Sequence, residues 1–251
     1  MKQRLDRLLV EQKLAPSREK AQAFIMAGKV RVNGQPAVKS GRLISNESFI
    51  EVLGKDQPYV SRGGVKLKTS LEHFDVDPQG LVALDIGAST GGFTHCLLLC
   101  GAKKVFAVDV GYGQLAWELR QDRRVKSIER TNIRHLEFEK LGENVDLVVI
   151  DVSFISLRLI FPKALEFLKP GGALVALVKP QFEAGVDDVG KRGKVSDTGV
   201  HEKVLKTLKI EAREQGFIVK GQTKSSIVGK KSGNEEFFLW LQKPQNSDSD
   251  K

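Results

Sequence analysis

Cysteine is scarce in this sequence: of its 251 residues only two, Cys96 and Cys100, carry a thiol. They are four positions apart in the apolar segment THCLLLCGA, so we expect both on one face of a buried helix, as small hydrophobic side chains. No second cysteine pair and no nearby pair of histidines completes a tetrahedral site, so we expect no metal. The few thiols should be reduced.

Long apolar runs are also missing. No uninterrupted apolar stretch approaches the ~18 residues that a membrane-spanning helix needs. The opening segment MKQRLDRLLVEQK is charged throughout and lacks the apolar centre of a secretory signal. We therefore expect a cytoplasmic protein without membrane association.

Acidic residues are outnumbered, with 31 Asp and Glu against 40 Lys and Arg and a formal net charge of +9. This excess favours a polyanionic partner such as nucleic acid, although a basic protein without such a partner has the same composition. The length suffices for one mid-sized domain and a small one, or for one large domain. The sequence leaves the oligomeric state open, and we favour a monomer.

Residues 1–55 have the pattern of a small α/β unit. Leucines at helical spacing between residues 5 and 14 predict a first helix. Ser17 is a suitable N-cap for a second helix, which Gly28 would end. Asn33-Gly34 then predicts a hairpin turn, and FIEV supplies another short strand.

The segment RLDRLLVEQKLAPSREKAQAFIMAGKVRVNG resembles the small RNA-binding domain shared by a small-subunit ribosomal protein, many pseudouridine synthases and bacterial tyrosyl-tRNA synthetases. The resemblance implies a basic surface that recognises the shape and phosphates of structured RNA. The alternative is that these basic residues are merely solvated. The side chains that we expect to contact RNA, across the whole chain, are Arg4, Arg18, Lys39, Arg62, Lys191 and Arg192.

A polar linker is expected at 56–62, and the sequence changes character over 63–243. Apolar runs alternate there with helical stretches, which predicts a mostly parallel sheet covered on both faces. The loop at 185–199 is glycine-rich and basic, and is either a lid over RNA or a flexible connection. The polar tail 244–251 is expected to be disordered.

A glycine-rich turn lies between a strand and a helix in LVALDIGASTGGFTHCLL. Ser89 stands where a dinucleotide motif has its second glycine, and no Gly-Lys-Ser/Thr follows, which excludes a P-loop. The spacing Asp85-x-Gly87-x-x-x-Gly91 instead resembles the first motif of Rossmann-like methyltransferases that use S-adenosylmethionine (SAM). An NAD-type site and an ordinary tight turn are the alternatives.

That resemblance implies SAM as cofactor, a seven-stranded sheet and an antiparallel last strand. Asp85 would face the cationic amino acid end of SAM. Asp109, which ends the next strand, would hold the ribose hydroxyls, and Asn132 is expected at the adenine edge. The full set of expected cofactor-binding residues is Asp85, Gly87, Ser89, Gly91, Gly92, Phe93, Asp109 and Asn132.

Two charged residues end buried strands, Asp151 in VDLVVID and Lys179 in ALVALVK. The carboxyl ends of parallel strands gather ligands at one edge of the sheet, so both should face the glycine turn. Pro180 restricts Lys179 to extended backbone angles. Lys66 in SRGGVKL and Glu236 in SGNEEFFLW complete the order Lys, Asp, Lys, Glu.

This order resembles the catalytic tetrad of RNA ribose 2′-O-methyltransferases. The surrounding words SRGGVKL, DIGASTGGFT, VGYGQLAW, DVSFISL, VKPQFE and GNEEFFLWL resemble the haemolysin A (TlyA) family of bacterial ribosomal RNA 2′-O-methyltransferases, which have an FtsJ-like methyltransferase domain. The family spacing favours Glu236 over the adjacent Glu235.

The resemblance implies 2′-O-methylation of ribose in ribosomal RNA, at a cytidine within assembled subunits. Lys179 would activate the hydroxyl, Asp151 and Glu236 would orient it, and Lys66 would steady the hydroxyl or the adjacent phosphate. Three alternatives remain open: a membrane-lytic protein, a methyltransferase for a base, protein or small molecule, and a non-catalytic RNA-binding factor.

Overall fold

The boundary between the two compact units of this chain falls between residues 57 and 58. No helix in the described part of the chain is long and apolar enough to cross a membrane. Residues 246–251 of the expected tail and 56–58 of the expected linker lie outside the described residues. The computed structural model describes residues 2–12, 14–37, 39–46, 48, 50–52, 59–190, 193–228 and 233–245.

Two helices and two small sheets make up the N-terminal unit. Its elements are β1 (Lys2–Arg4), α1 (Leu5–Glu11), α2 (Arg18–Met26), β2 (Val30–Val32), β3 (Gln35–Pro36), β4 (Leu43–Ser45) and β5 (Ile50–Val52). Strand β2 pairs antiparallel with β3 and β5, and β1 pairs antiparallel with β4. Buried aliphatic side chains from both helices and from β2, β4 and β5 form one core.

Short-range sequence signals explain the turns of this unit. The Ser17 hydroxyl accepts a hydrogen bond of 3.2 Å from the Lys20 backbone N–H, which confirms the predicted cap of α2. Asn33 and Gly34 have φ angles of 50° and 77°, which confirms the predicted hairpin turn. Strands β1 and β4, of three residues each, were not predicted.

A seven-stranded sheet is the centre of the C-terminal unit. Its strands are β6 (Val82–Ile86), β7 (Lys104–Val108), β8 (Val125–Ile128), β9 (Val145–Ile150), β10 (Leu168–Val178), β11 (Ile218–Lys224) and β12 (Phe237–Gln242). Their order in the sheet is β11-β12-β10-β9-β6-β7-β8. Strand β12 runs antiparallel to both of its neighbours, and the other pairs are parallel, as predicted.

Helices cover both faces of this sheet. Leu84 and Ile86 belong to a core cluster with the helices at residues 161–167 and 198–214, whereas Ala83, the residue before Leu84, belongs to a cluster with the helices at 63–74 and 92–99. Alternate residues of one strand therefore face different helix layers. The helices are α3 (Gly63–Phe74), α4 (Gly92–Leu99), α5 (Trp117–Arg120), α6 (Phe138–Leu141), α7 (Phe161–Phe167) and α8 (Thr198–Glu214).

The two cysteines lie on the predicted helix or at its end. Cys96 is fully buried on α4, and burial raises the pKa of its thiol. Cys100 is partly buried at the C-cap of the same helix. Both therefore serve mainly as packing side chains.

Strand register brings three loops to one edge of the sheet. Ala176 of β10 lies beside Ile150 of β9, and Val178 lies beside Phe237 of β12. Because β12 is antiparallel, it begins where β9 and β10 end. The residues just after β9, just after β10 and just before β12 are consequently neighbours.

Candidate active site

The glycine turn after β6 lies directly on the end of β9. Gly87 has a φ of 85°, and a β-carbon at this position would come within 2.5 Å of the Asp151 carbonyl oxygen. The Gly87 N–H also donates to the Val108 carbonyl, at 2.9 Å. A residue without a side chain is needed here because three strand ends converge on the turn.

Gly91 and Gly92 lie against other parts of the protein than Gly87 does. Gly91, with a φ of 95°, has no room for a β-carbon because the side chains of Leu115 and Leu119 lie against it. A β-carbon at Gly92 would collide with the Ser61 hydroxyl beside the start of α3. These two glycines therefore allow α4 to pack closely against its neighbours.

Phe93 is also part of the interior. It is buried in the core cluster of α3 and α4, and its ring stacks on Phe238 with centroids 6.2 Å apart. The residue is expected from the sequence to bind the cofactor, but the structure gives it a packing position behind the glycine turn.

Beside the turn lies a cleft of about 490 Å³. Four of the eight expected cofactor residues line it: Gly87, Ser89, Asp109 and Asn132. Asp151 lines it too, together with apolar side chains from the ends of β6 and β7 and from the loop after β9. Apolar walls with a few convergent polar groups are typical of a small-molecule site.

Asp109 holds the turn in place. Its Oδ2 accepts a hydrogen bond from the Ser89 N–H and its Oδ1 accepts one from the Gly111 N–H, both at 2.7 Å. The Ser89 hydroxyl donates to Gln114 Oε1 at 3.1 Å. Each carboxylate oxygen has a second acceptor position, so Asp109 can organise the turn and still bind a ligand.

Asp85 lies deeper than the sequence suggests. Its carboxyl group is fully buried within β6, and Oδ2 accepts a 2.6 Å hydrogen bond from the Thr94 hydroxyl. The other oxygen, Oδ1, has no hydrogen-bond partner among the described residues. Burial raises the pKa of Asp85 to about 7, because the low-dielectric interior disfavours the carboxylate.

The four residues of the Lys, Asp, Lys, Glu series form two ion pairs. Lys66 on α3 contacts Glu236, with Nζ and Oε2 2.5 Å apart, and both side chains are buried. Lys179 contacts Asp151, with Nζ and Oδ1 2.6 Å apart. The adjacent Glu235 is directed elsewhere, and its Oε1 contacts Lys224 Nζ at 2.5 Å.

The Lys179–Asp151 contact is an ion pair and not an aligned hydrogen bond. Within the part of the chain that the structure describes, Asp151 Oδ1 has no partner that meets hydrogen-bond geometry. Lys179 Nζ instead donates to the Ser153 hydroxyl at 3.0 Å. The amine is thus held between a carboxylate and a hydroxyl, both in the loop after β9.

This edge of the sheet is also shaped by Ser153, Glu183 and Asn234. Glu183 accepts hydrogen bonds from the Ser156 hydroxyl (2.5 Å) and the Leu157 N–H (2.8 Å), and burial raises its pKa. It thereby ties the segment after Lys179 to the loop after β9. Ser153 lies in the motif DVSF and Glu183 lies in the motif VKPQFE. A sequence motif does not reveal which of its residues make contacts in the folded chain.

Asn234 performs a similar function before β12. This buried side chain accepts from the Val195 N–H at 3.0 Å and donates to the Gly193 carbonyl at 2.8 Å. It fixes the end of the basic loop to the segment that leads into Glu236. Lys191 and Arg192 of that loop lie outside the described residues.

The other basic residues that we expect to contact RNA are distributed over both units. Arg62 precedes α3 and donates to the Val228 carbonyl at 3.0 Å. Lys39 is exposed in the N-terminal unit. Arg4 and Arg18 both contact the buried carboxylate of Asp6, a residue that the sequence analysis did not single out. Among the described residues, no cluster of three or more His, Cys, Asp and Glu could hold a metal ion.

Comparison with protein families gives two matches. Residues 59–243 match the FtsJ-like methyltransferase model, and residues 3–47 match the S4 domain model. The two matched ranges correspond to the two units of the structure and include every residue of the two ion pairs.

Similar proteins cover nearly the full chain. A Bacillus subtilis protein named as a candidate rRNA methyltransferase, YqxC, is 50% identical over 97% of this chain and 86% of its own length. The 16S/23S rRNA (cytidine-2′-O)-methyltransferase TlyA of Mycobacterium tuberculosis is 46% identical over 95% of this chain and 89% of its own length. A solved structure from Streptococcus thermophilus, named as a candidate hemolysin, is 45% identical, covers 98% of this chain and 91% of its own, and has a TM-score of 0.75.

Proposed function

This chain belongs to the family of FtsJ-like methyltransferases, and from that premise we propose that it methylates the 2′-hydroxyl of a ribose in ribosomal RNA, with SAM as the methyl donor. The S4 match supports an RNA substrate. The TlyA relative, whose name specifies cytidine 2′-O-methylation of 16S and 23S rRNA, supports the ribose position and the base. We extend the proposal to a cytidine within assembled subunits, in the cytoplasm.

One observation carries the proposal most directly: Asp151 belongs to two sites at once. It lines the cleft beside the glycine turn, and its carboxylate pairs with the Lys179 amine. A methyl donor in the cleft and a hydroxyl beside the amine would therefore be adjacent. Alignment of two reactants is the main contribution that an enzyme makes to such a displacement.

The cleft residues fit SAM. Gly87 and Ser89 would approach the ligand through the backbone, Asp109 would accept from ribose hydroxyls and Asn132 would contact the base. Asp85 is fully buried and does not line the cleft, so its contact with the amino acid end of SAM stays a prediction. When bound, SAM supplies a methyl carbon that an oxygen nucleophile can attack.

Lys179 is our candidate for the general base. The ribose oxygen would form its bond to the methyl carbon as the bond from that carbon to the sulfonium sulfur breaks, and the demethylated cofactor would leave as a neutral thioether. The hydroxyl proton would pass to the Lys179 nitrogen in its neutral amine form. Asp151 and Ser153 then keep the nitrogen in place.

The second pair would position the substrate. Lys66 and Glu236 are both buried, so the strength of their mutual contact depends little on salt. Glu236 precedes β12 directly beside the end of β10, so it can accept from the same hydroxyl. Lys66 can steady that hydroxyl or the adjacent phosphate.

Labelled SAM and purified bacterial ribosomal subunits provide the test. Wild-type protein should transfer label to rRNA in a single turnover, and mapping should find 2′-O-methyl groups that are missing from RNA of cells without this gene. Asp151→Asn should bind SAM but transfer little. Label on a base, on protein, or on nothing would contradict the proposal, and lysis of red cells by an inactive Lys179→Ala variant would favour a membrane-lytic function.

A further inference from the structure

Asp6 is a buried anion within a basic unit. Its exposed fraction is 0%, and it lies in the first turn of α1. Arg4 donates to it through Nε at 3.0 Å and Nη2 at 2.8 Å, which is a fork-like contact. Arg18 Nη2 at 3.3 Å and Gln22 Nε2 at 3.0 Å, both from α2, complete its partners.

The two arginines reach the surface while Asp6 does not. Their side chains are 44% and 47% exposed. Both donate to the same oxygen, Oδ2, so the two guanidinium groups lie close together although like charges repel. Each guanidinium has five N–H donors, and Asp6 engages two from Arg4 and one from Arg18.

The turn before β4 brings further positive charge to this place. The N–H groups of Leu5 and Asp6 donate to the carbonyls of Arg42 (2.9 Å) and Ser40 (3.1 Å), respectively. Gly41 lies beside Arg4, since a β-carbon there would be at the ordinary contact distance of 3.4 Å from Arg4 Nη1. Exposed Lys39 and Arg42 belong to the same turn.

Contact of Arg4 and Arg18 with RNA is already expected from the resemblance; we propose in addition that Asp6 is a positioning residue, which holds the two guanidinium groups side by side as a clamp for one backbone phosphate of structured RNA. This inference rests on the proposed RNA-modifying function. Guanidinium forks match phosphate geometry, and arginines that are already fixed lose less side-chain entropy on binding. The Arg4 guanidinium holds the pKa of Asp6 well below its usual range, so the anchor stays ionised.

Asp6→Asn is the decisive variant, because charge and geometry predict opposite results. It makes the protein more basic by one charge, so electrostatics alone would tighten binding to RNA. If Asp6 positions the clamp, binding should weaken by about tenfold, since hydrogen bonds to charged groups are lost. The measurement is filter binding of the full chain to purified ribosomal subunits over a range of salt concentrations.

Glu19→Gln is the matched control. Glu19 is an exposed carboxylate on α2 of the same unit, so this variant makes the same change in charge. It should bind subunits as tightly as wild type or slightly more tightly. In an Arg4→Gln/Arg18→Gln background, Asp6→Asn should have no further effect on RNA binding, whereas a purely structural role would still lower it.

Equal or tighter binding by Asp6→Asn would overturn the clamp and leave the proposed function intact. Failure of the wild type to bind either subunit would instead count against the proposed function. If circular dichroism shows that Asp6→Asn does not fold, Arg4→Lys and Arg18→Lys replace it. They keep the charge but lose the fork, so each should weaken binding several-fold, and unchanged binding by both would overturn the inference.

Discussion

Gly87 and Asp151 are in contact through their main chains, since the carbonyl oxygen of Asp151 occupies the position that a side chain at residue 87 would need. The same aspartate pairs with Lys179 through its side chain. The glycine turn and the lysine are thus linked through one residue, so changes at the two positions should have separable effects on cofactor binding and on methyl transfer.

Lys179→Ala should lower single-turnover methyl transfer by about 10²- to 10⁴-fold, which is the typical contribution of a general base. Folding and SAM affinity should change little, because removal of an amine at the cleft edge opens no apolar cavity. Lys206→Ala on the exposed side of α8 is the charge-matched control and should keep its activity.

Lys179→Arg tests the base role itself. A guanidinium keeps the positive charge beside Asp151 but stays protonated, so it cannot accept the hydroxyl proton. Activity should fall nearly as far as in Lys179→Ala in the same labelled-SAM assay. A near-normal rate would mean that Lys179 acts as an electrostatic anchor and not as a base.

Gly87→Ala should abolish measurable SAM binding by calorimetry. Its φ of 85° disfavours any side chain, and the new methyl group would push the turn away from Asp151. Gly80→Ala is the matched control, because Gly80 has a φ of 74° but open space around it. Equal loss of SAM binding in both variants would show that backbone strain, and not the contact with Asp151, is responsible.

Gly91→Val should also prevent SAM binding, by a different route. The valine side chain would displace Leu115 and Leu119 and shift the start of α4. Calorimetry should find no SAM binding, and circular dichroism should find a lower melting temperature than in wild type. Normal SAM affinity would show that the turn tolerates the shift, and binding of NAD in place of SAM would contradict the cofactor assignment.

Neutralisation of Arg4, Arg18 and Lys39 should weaken binding to ribosomal subunits. Each lost phosphate contact should reduce the salt dependence of the binding constant by roughly one unit of slope. SAM affinity should not change, because the substitutions lie in the other unit. Unaltered subunit binding would mean that these side chains are only solvated.

The contribution of Asp85 to stability should fall as pH rises to about 7, because burial raises the pKa of Asp85 to about 7. The unfolded chain releases this proton near pH 4 and the folded chain near pH 7, so stabilisation by the protonated form is complete below pH 4 and lost between the two values. Asp85→Asn should remove this slope, a difference on the order of 1 to 4 kcal/mol. Urea unfolding of both proteins from pH 5 to 8 measures it, and parallel curves would contradict the raised pKa.

Much of the fold could be predicted from local patterns. Alternating apolar runs and helical stretches indicated the covered parallel sheet, and the glycine turn indicated its first crossover. The resemblance to the haemolysin A (TlyA) family, based on motif words, is confirmed by the relatives and family models. These signals involve residues that are close together in the chain, so they can be recognised in the sequence alone.

Contacts between distant segments were not predictable in the same way. The series Lys66, Asp151, Lys179, Glu236 did not reveal that the first residue pairs with the last, since this depends on how α3 packs near β12. Phe93 belongs to the same sequence motif as the glycine turn, but its side chain is buried in the core. A charged residue such as Asp6 is normally read as solvent-exposed, and only the fold shows it buried under two arginines.

The contact between Gly87 and Asp151 has a consequence for how variants of this protein can be interpreted. Because main-chain atoms alone form it, the position of the Asp151 backbone against the glycine turn does not depend on the carboxylate. Asp151→Asn therefore leaves this contact in place and removes the charge that faces Lys179, whereas Gly87→Ala disturbs the contact itself. SAM affinity measured for both variants can thus distinguish loss of the cleft geometry from loss of the ion pair.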